Sequence, residues 1–205
     1  MTMRTGTPLL LATIIGLSAW TSVVQAGPAF MPTGARTTQP IGHYEFCRRH
    51  PEECRLKGPK RAPVELTRQL WAAMIEINNA VNAAITPRTD VEIWGEEEVW
   101  SYPAEVGDCE DYALEKRRRL MSLGIPAGDL LITVARQKNG DGHAVLTVRT
   151  SRGDFVLDNL EPRLLAWSQT EYTYLKRQSE RNSGAWVAVD DSRQAVAVGS
   201  VRRHP

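Results

Sequence analysis

The sequence predicts an α+β domain in which helices pack on an antiparallel β-sheet. Three observations lead there: an apolar stripe of helical period, a second helix with marked start and stop signals, and three β-type runs separated by turn residues. Over 64–85, Leu66, Leu70, Met74, Ile77, Val81 and Ala84 recur at helical spacing. This helix must end before Pro87, because a proline moves its predecessor out of helical geometry. The second helix is expected over 108–123. Asp108 suits its N-cap, Asp111 places negative charge in its first turn, and Gly124 before Ile125-Pro126 stops it. The runs 130–135, 144–148 and 155–158 are joined by Asn139-Gly140-Asp141-Gly142 and Ser151-Arg152-Gly153, the turn chemistry of a meander. A further helix is expected over 171–181 and a strand over 185–189. Residues 86–107 read as irregular, and their Trp94 and Trp100 are expected in the core.

The chain has 205 residues, 24% charged and 42% hydrophobic, with a formal net charge of +1. These values suit one globular domain with short appendages and give no electrostatic reason for a nucleic-acid partner. The densest basic run, Arg117-Arg118-Arg119, reads as a solvated helix face.

Arg4, an uncharged stretch from Pro8 to Trp20, and the small-x-small triplet Val24-Gln25-Ala26 form the layout of a secretory signal peptide. Cleavage is expected after Ala26, with no membrane insertion afterwards, since the apolar core falls short of the ~20 residues a spanning helix needs. An uncleaved anchor is the alternative. The expected division is a signal peptide (1–26), an extended N-terminal arm (27–62) and the main domain (63–205). Export permits a disulfide between Cys47 and Cys54; zinc held by Cys47, His50 and Cys54 is the alternative. Pairing those two leaves Cys109 over, and a leftover cysteine in an exported protein is an accident, an intermolecular partner or a reactive thiol.

Cys109 falls in the first turn of the second predicted helix. Unpaired N–H groups and the helix dipole there favour a thiolate, and the same N–H groups can hold an oxyanion. Asp108, Glu110 and Asp111 oppose the thiolate, so a histidinium or a cation is needed to offset them. His143 opens the second strand and Asp158 closes the third. With a four- or two-residue connection, the two share one face of the sheet as diagonal neighbours. A carboxylate beside an imidazole fixes its tautomer and steadies its charged form. Each residue also has an ordinary structural use, as a small buried hydrophobe, a solvated histidine and a strand end.

The segments WSYPAEVGDCEDYALEKRRRLMSLGIP, GHAVLTV and DFVLDNL resemble the bacterial transglutaminase-like cysteine proteinases, including LapG-type periplasmic proteases that cleave biofilm adhesins. The resemblance spans about residues 60–190, and GDCEDYA is its most specific part. It implies a papain-like, transglutaminase-like fold, with Cys109 as nucleophile, His143 as base and Asp158 as orienting acid. It further implies that Asp108 and Glu110 help to bind calcium, which would neutralise carboxylates beside the sulfur. The partners implied are a protein substrate such as a surface adhesin and an inner-membrane regulatory receptor. Two other activities fit the same residues: acyl transfer of the transglutaminase or amidase type, and a non-catalytic calcium-binding module of the cell envelope.

Overall fold

The structure, a computed structural model, describes residues 29–191; the expected signal peptide lies outside them. In chain order the elements are β1 (Thr33–Thr37), α1 (Ile41–Arg49), α2 (Pro51–Cys54), α3 (Arg68–Ala84), β2 (Thr86–Pro87), α4 (Asp90–Trp94), β3 (Val106–Gly107), α5 (Cys109–Ser122), β4 (Leu130–Arg136), β5 (Gly142–Thr150), β6 (Gly153–Leu157), β7 (Leu165–Ala166), β8 (Thr173–Ser179) and β9 (Asn182–Val189). Seven strands form one antiparallel sheet in the order β1-β9-β8-β4-β5-β6-β7, while β2 and β3 pair separately. The α+β expectation of helices on an antiparallel sheet therefore holds. Among the described residues, no helix is long and apolar enough to cross a membrane.

Helix α3 starts later than its apolar stripe. Thr67 accepts a hydrogen bond from the Leu70 N–H at 3.1 Å, so the chain turns helical only after that cap. Its buried Leu70, Met74, Asn78 and Val81 follow the predicted face. Helix α5 is buried on most of its circumference, between α3 and the strands β4 and β5. A helix so enclosed must neutralise its charged side chains internally. Glu115 binds Arg118 and Arg119 at 2.8 and 2.7 Å, and Arg117 binds Glu53 at 2.7 Å. Arg117 thus contradicts the solvated-face reading: its Nε also donates to the Leu130 carbonyl, so its charge is matched inside the fold. Gly124, at φ +86°, ends the helix in the left-handed region that glycine tolerates.

The main core joins Phe46 of α1, Met74 of α3, Leu114 and Leu120 of α5, Ile132 and Leu146 of the sheet, and Trp186 of β9. The arm expected over 27–62 carries β1, α1 and α2; helix α1 buries only Gly42, His43 and Phe46, a stripe too narrow to show as periodicity. The helix expected over 171–181 is strand β8, which pairs with β4 on one side and β9 on the other. Its buried polar residues mimic a helical pattern, but Arg177 is matched by Asp154 and Gln178 by His43 and the Ser183 carbonyl. Residues 86–107 are not wholly irregular, since Thr89 and Glu92 build a capping box that starts α4. Trp100 is core at 2% exposure, whereas Trp94 lies at 54% on the surface. The Cys47 and Cys54 sulfurs stand at bonding distance, which removes both as thiolate ligands for zinc.

Candidate active site

The interior strand β5 begins at Gly142, so His143 and Ala144 sit at the sheet end that faces the start of α5. Sheet register explains how the histidine meets its carboxylate. Thr150 pairs with Gly153 across the two-residue turn Ser151-Arg152, and Leu146 pairs with Leu157. Parity is kept, and Asp158 lands beside His143 with Nε2 to Oδ1 at 2.9 Å. Both side chains are 2% exposed. Asp158 is fastened further: its Oδ1 accepts the Leu160 N–H at 3.0 Å, and its carbonyl accepts the Asn82 amide of α3 at 2.8 Å. Burial alone would raise the Asp158 carboxyl, but the His143 contact and the Leu160 and Tyr172 hydrogen bonds outweigh it and hold it below the ordinary value. An ionised Asp158 only accepts, so Nε2 carries the proton and Nδ1 is left as the basic nitrogen.

Cys109 is the first residue of α5, half-buried, and its sulfur accepts the Ala144 N–H at 3.3 Å. The approach depends on Gly107, where a Cβ would lie 2.9 Å from the Asp111 side chain. Asp111 in turn accepts the Ser101 N–H at 2.7 Å, tying the incoming loop to the helix. Cys109 and His143 line a single cleft of about 720 Å³, bordered also by Ile41, Val91 and Lys176. The thiol donates to Glu110 Oε2 at 2.9 Å. Burial and the Glu110 charge push the thiol well above its ordinary value, and the Ala144 N–H opposes them only in part.

Asp108 occupies the N-cap of α5 but its side chain makes no capping hydrogen bond, contrary to the sequence reading. Its carboxylate instead joins those of Glu110 and Asp90, with ligand oxygens within 4.8 Å of one another. Burial, then the neighbouring Glu110 and Asp90 charges, raise Asp108 to about 8. Burial is also the main cause that raises Glu110, to about 7. Asp90 Oδ1 and Asp108 Oδ1 are buried without a hydrogen-bond partner, while Asp90 Oδ2 accepts the Val99 N–H at 2.5 Å. Clustered, desolvated and unpaired carboxylate oxygens are what a hard divalent cation binds. Residue types and geometry therefore fit such an ion. Sequence reasoning found Asp108 and Glu110 but missed Asp90, which lies in the segment read as irregular; the Thr89-x-x-Glu92 capping signature was the signal that placed it.

The family model described as bacterial transglutaminase-like cysteine proteinase (BTLCP) matches residues 33–194. The chain belongs to this family. It is a cysteine peptidase, and its helices-on-sheet architecture is the transglutaminase-like fold. Legionella pneumophila LapG in its calcium-bound form is 27% identical, with a TM-score of 0.50 over 58% of this chain and 69% of LapG. A second LapG structure from that organism is also 27% identical, at TM-score 0.50 over 62% of this chain and 73% of its own. An EGTA-treated form, 23% identical with a TM-score of 0.50 over 63% and 74%, matches in fold. No curated protein matches significantly. The family match begins at Thr33, so it takes in β1, α1 and α2 together with the main sheet.

Proposed function

We propose that this transglutaminase-like cysteine proteinase is a periplasmic endopeptidase whose nucleophile is Cys109, base His143 and orienting acid Asp158. The observation that carries the reading is the pair of contacts around one strand start: His143 Nε2 on Asp158 at 2.9 Å, and the adjacent Ala144 N–H on the Cys109 sulfur at 3.3 Å. His143 Nδ1 takes the thiol proton, and the sulfur attacks the peptide carbonyl carbon. First-turn N–H groups of α5 receive the charge that develops on the oxygen. The C–N bond breaks as His143 passes its proton to the leaving amine. Water, deprotonated by His143, then hydrolyses the thioester and restores the thiol.

Asp90, Asp108 and Glu110 are assigned to calcium. A bound calcium ion would neutralise the carboxylates that hold the thiol protonated. The calcium-bound state of the related LapG structure supports the choice of ion. The signal-peptide layout supports a periplasmic location, and the LapG-type motifs support a cell-surface adhesin as substrate with an inner-membrane receptor as regulator. Cys109→Ala should abolish hydrolysis while the melting temperature stays within a few degrees of wild type. Residual turnover by that variant would refute the assignment. Comparing the released surface proteins of cells carrying wild type or Cys109→Ala identifies the substrate; identical surface protein profiles would reject the adhesin.

A further inference from the structure

We infer that Tyr172 is a positioning residue of this site, acting through Asp158 to hold the carboxylate and the imidazole in register; the inference rests on the Cys109, His143 and Asp158 assignment above. Tyr172 Oη donates to Asp158 Oδ2 at 2.5 Å, while Oδ1 receives His143 and the Leu160 N–H. Donors on both oxygens remove the carboxylate's freedom to rotate about its last bond. With either oxygen undefended, rotation would break the bond to His143 and release the tautomer that leaves Nδ1 basic.

The same residue also braces the imidazole. The rings of Tyr172 and His143 stand 5.1 Å apart with a 57° tilt, a contact of the kind aromatic pairs favour. Tyr172 is itself held: it packs against the smaller core cluster of Trp167, Tyr174 and Val156, and its ring meets Tyr174 edge-on at 6.3 Å. Burial, followed by the bond to Asp158, keeps its hydroxyl protonated far beyond the ordinary tyrosine range, so it serves only as a donor.

Register accounts for the placement. Ala135 of β4 pairs with His143 on one side and Tyr174 on the other. Strand β8 therefore delivers its leading residues to the same sheet end at which β5 delivers the base. Tyr172 immediately precedes β8, beside a second cavity of about 390 Å³ that is lined by Asp158, Glu161, Arg163 and Thr170. The hydroxyl closes the Asp158 side of the site toward that cavity, where free water would otherwise compete for Oδ2.

The test uses iodoacetamide as the probe of Cys109 in the full chain with calcium present, and compares wild type, Tyr172→Phe, Asp158→Ala and the double variant. Tyr172→Phe keeps the ring and removes one donor. Its alkylation rate at pH 7 should fall about 10- to 100-fold, in line with losing one hydrogen bond to a charged group. In the Asp158→Ala background the same change should have no further effect, because its target is gone. Asp158→Leu, which fills similar space and likewise offers Tyr172 no acceptor, serves in place of Ala if the latter fails to fold. Tyr172→Phe alkylating at the wild-type rate while Asp158→Ala is slowed overturns the positioning role and leaves the parent assignment intact. Equal losses in both backgrounds overturn it as well, since they show a structural effect independent of Asp158. An Asp158→Ala variant with wild-type reactivity overturns the parent assignment and this inference together.

Discussion

Calcium binding at Asp90, Asp108 and Glu110 should expel protons, and the number follows from the environment of those groups. Without a cation, Asp108 and Glu110 lie at about 8 and about 7, both raised first by burial. At pH 7 the pair then holds about 1.4 protons, and at pH 9 about a tenth of one. Calcium takes only ionised carboxylates, so binding should release about 1.4 protons at pH 7 and almost none at pH 9. Affinity should accordingly climb about 25-fold per pH unit around pH 7 and level off near pH 9. Titration calorimetry in two buffers of different ionisation enthalpy measures the release directly. Stability gives a second readout. A carboxyl raised in the folded state stabilises it fully below the unfolded value near 4, and that contribution is lost as pH rises through 7–8. Chelated protein should therefore lose stability between about pH 5 and 8, and calcium should remove that loss. Asp90→Asn, which deletes one of the charges raising Asp108, should reduce both the release and the affinity. An affinity that is flat from pH 6 to 9, with no buffer dependence of the heat, would refute this electrostatic account of the site.

Two stability predictions come from groups away from the cleft. Asp154 is fully buried, binds Arg177 at 2.8 Å and accepts the Met31 N–H at 2.9 Å, so Asp154→Asn leaves a buried guanidinium unmatched. This should cost about 3–5 kcal/mol, a fall of roughly 6–20 °C in melting temperature, read by calorimetry. Lys116 is 1% exposed on α5, and burial lowers its amine from 10.5 to about 7, against an opposing pull from Asp158. The unfolded chain then binds more protons between those values, so this group should add on the order of 3–4 kcal/mol of stability to wild type from pH 7 to 10. Lys116→Met should lack that share of the gain in urea unfolding; equal gains in both proteins would count against it.

Legibility differed from element to element for identifiable reasons. The β5–β6 register was readable only up to loop length: a two- or four-residue connection puts His143 and Asp158 on one face, and a three-residue one does not. The structure takes the two-residue turn and makes the contact. The second helix was readable from Asp108, Asp111 and the Gly124 stop, yet the use of Asp108 was not. A carboxylate at an N-cap position looks the same in sequence whether it caps the helix or faces other acids. Asp90 was hidden because α4 is only one turn long, too short for periodicity. Tyr172 was hidden because the helix expected over 171–181 would have carried it elsewhere. In both cases long-range pairing, β8 with β4 and the Val99 loop with Asp90, decided what local pattern could not.

The interior position of β5 separates the two halves of the cleft by their resistance to opening. Strand β5 is laddered to β4 over seven residue pairs and to β6 on its other side. Amide protons of β5 from Leu146 to Val148, where both neighbours pair, should thus exchange with solvent only when the whole sheet comes apart. The wall that carries Asp90 hangs on a five-residue helix and a two-stranded pairing, and its amides should exchange through small local excursions. An ion that clamps Asp90 to the start of α5 would silence those excursions and leave the sheet amides unchanged, giving each half of the cleft its own clock.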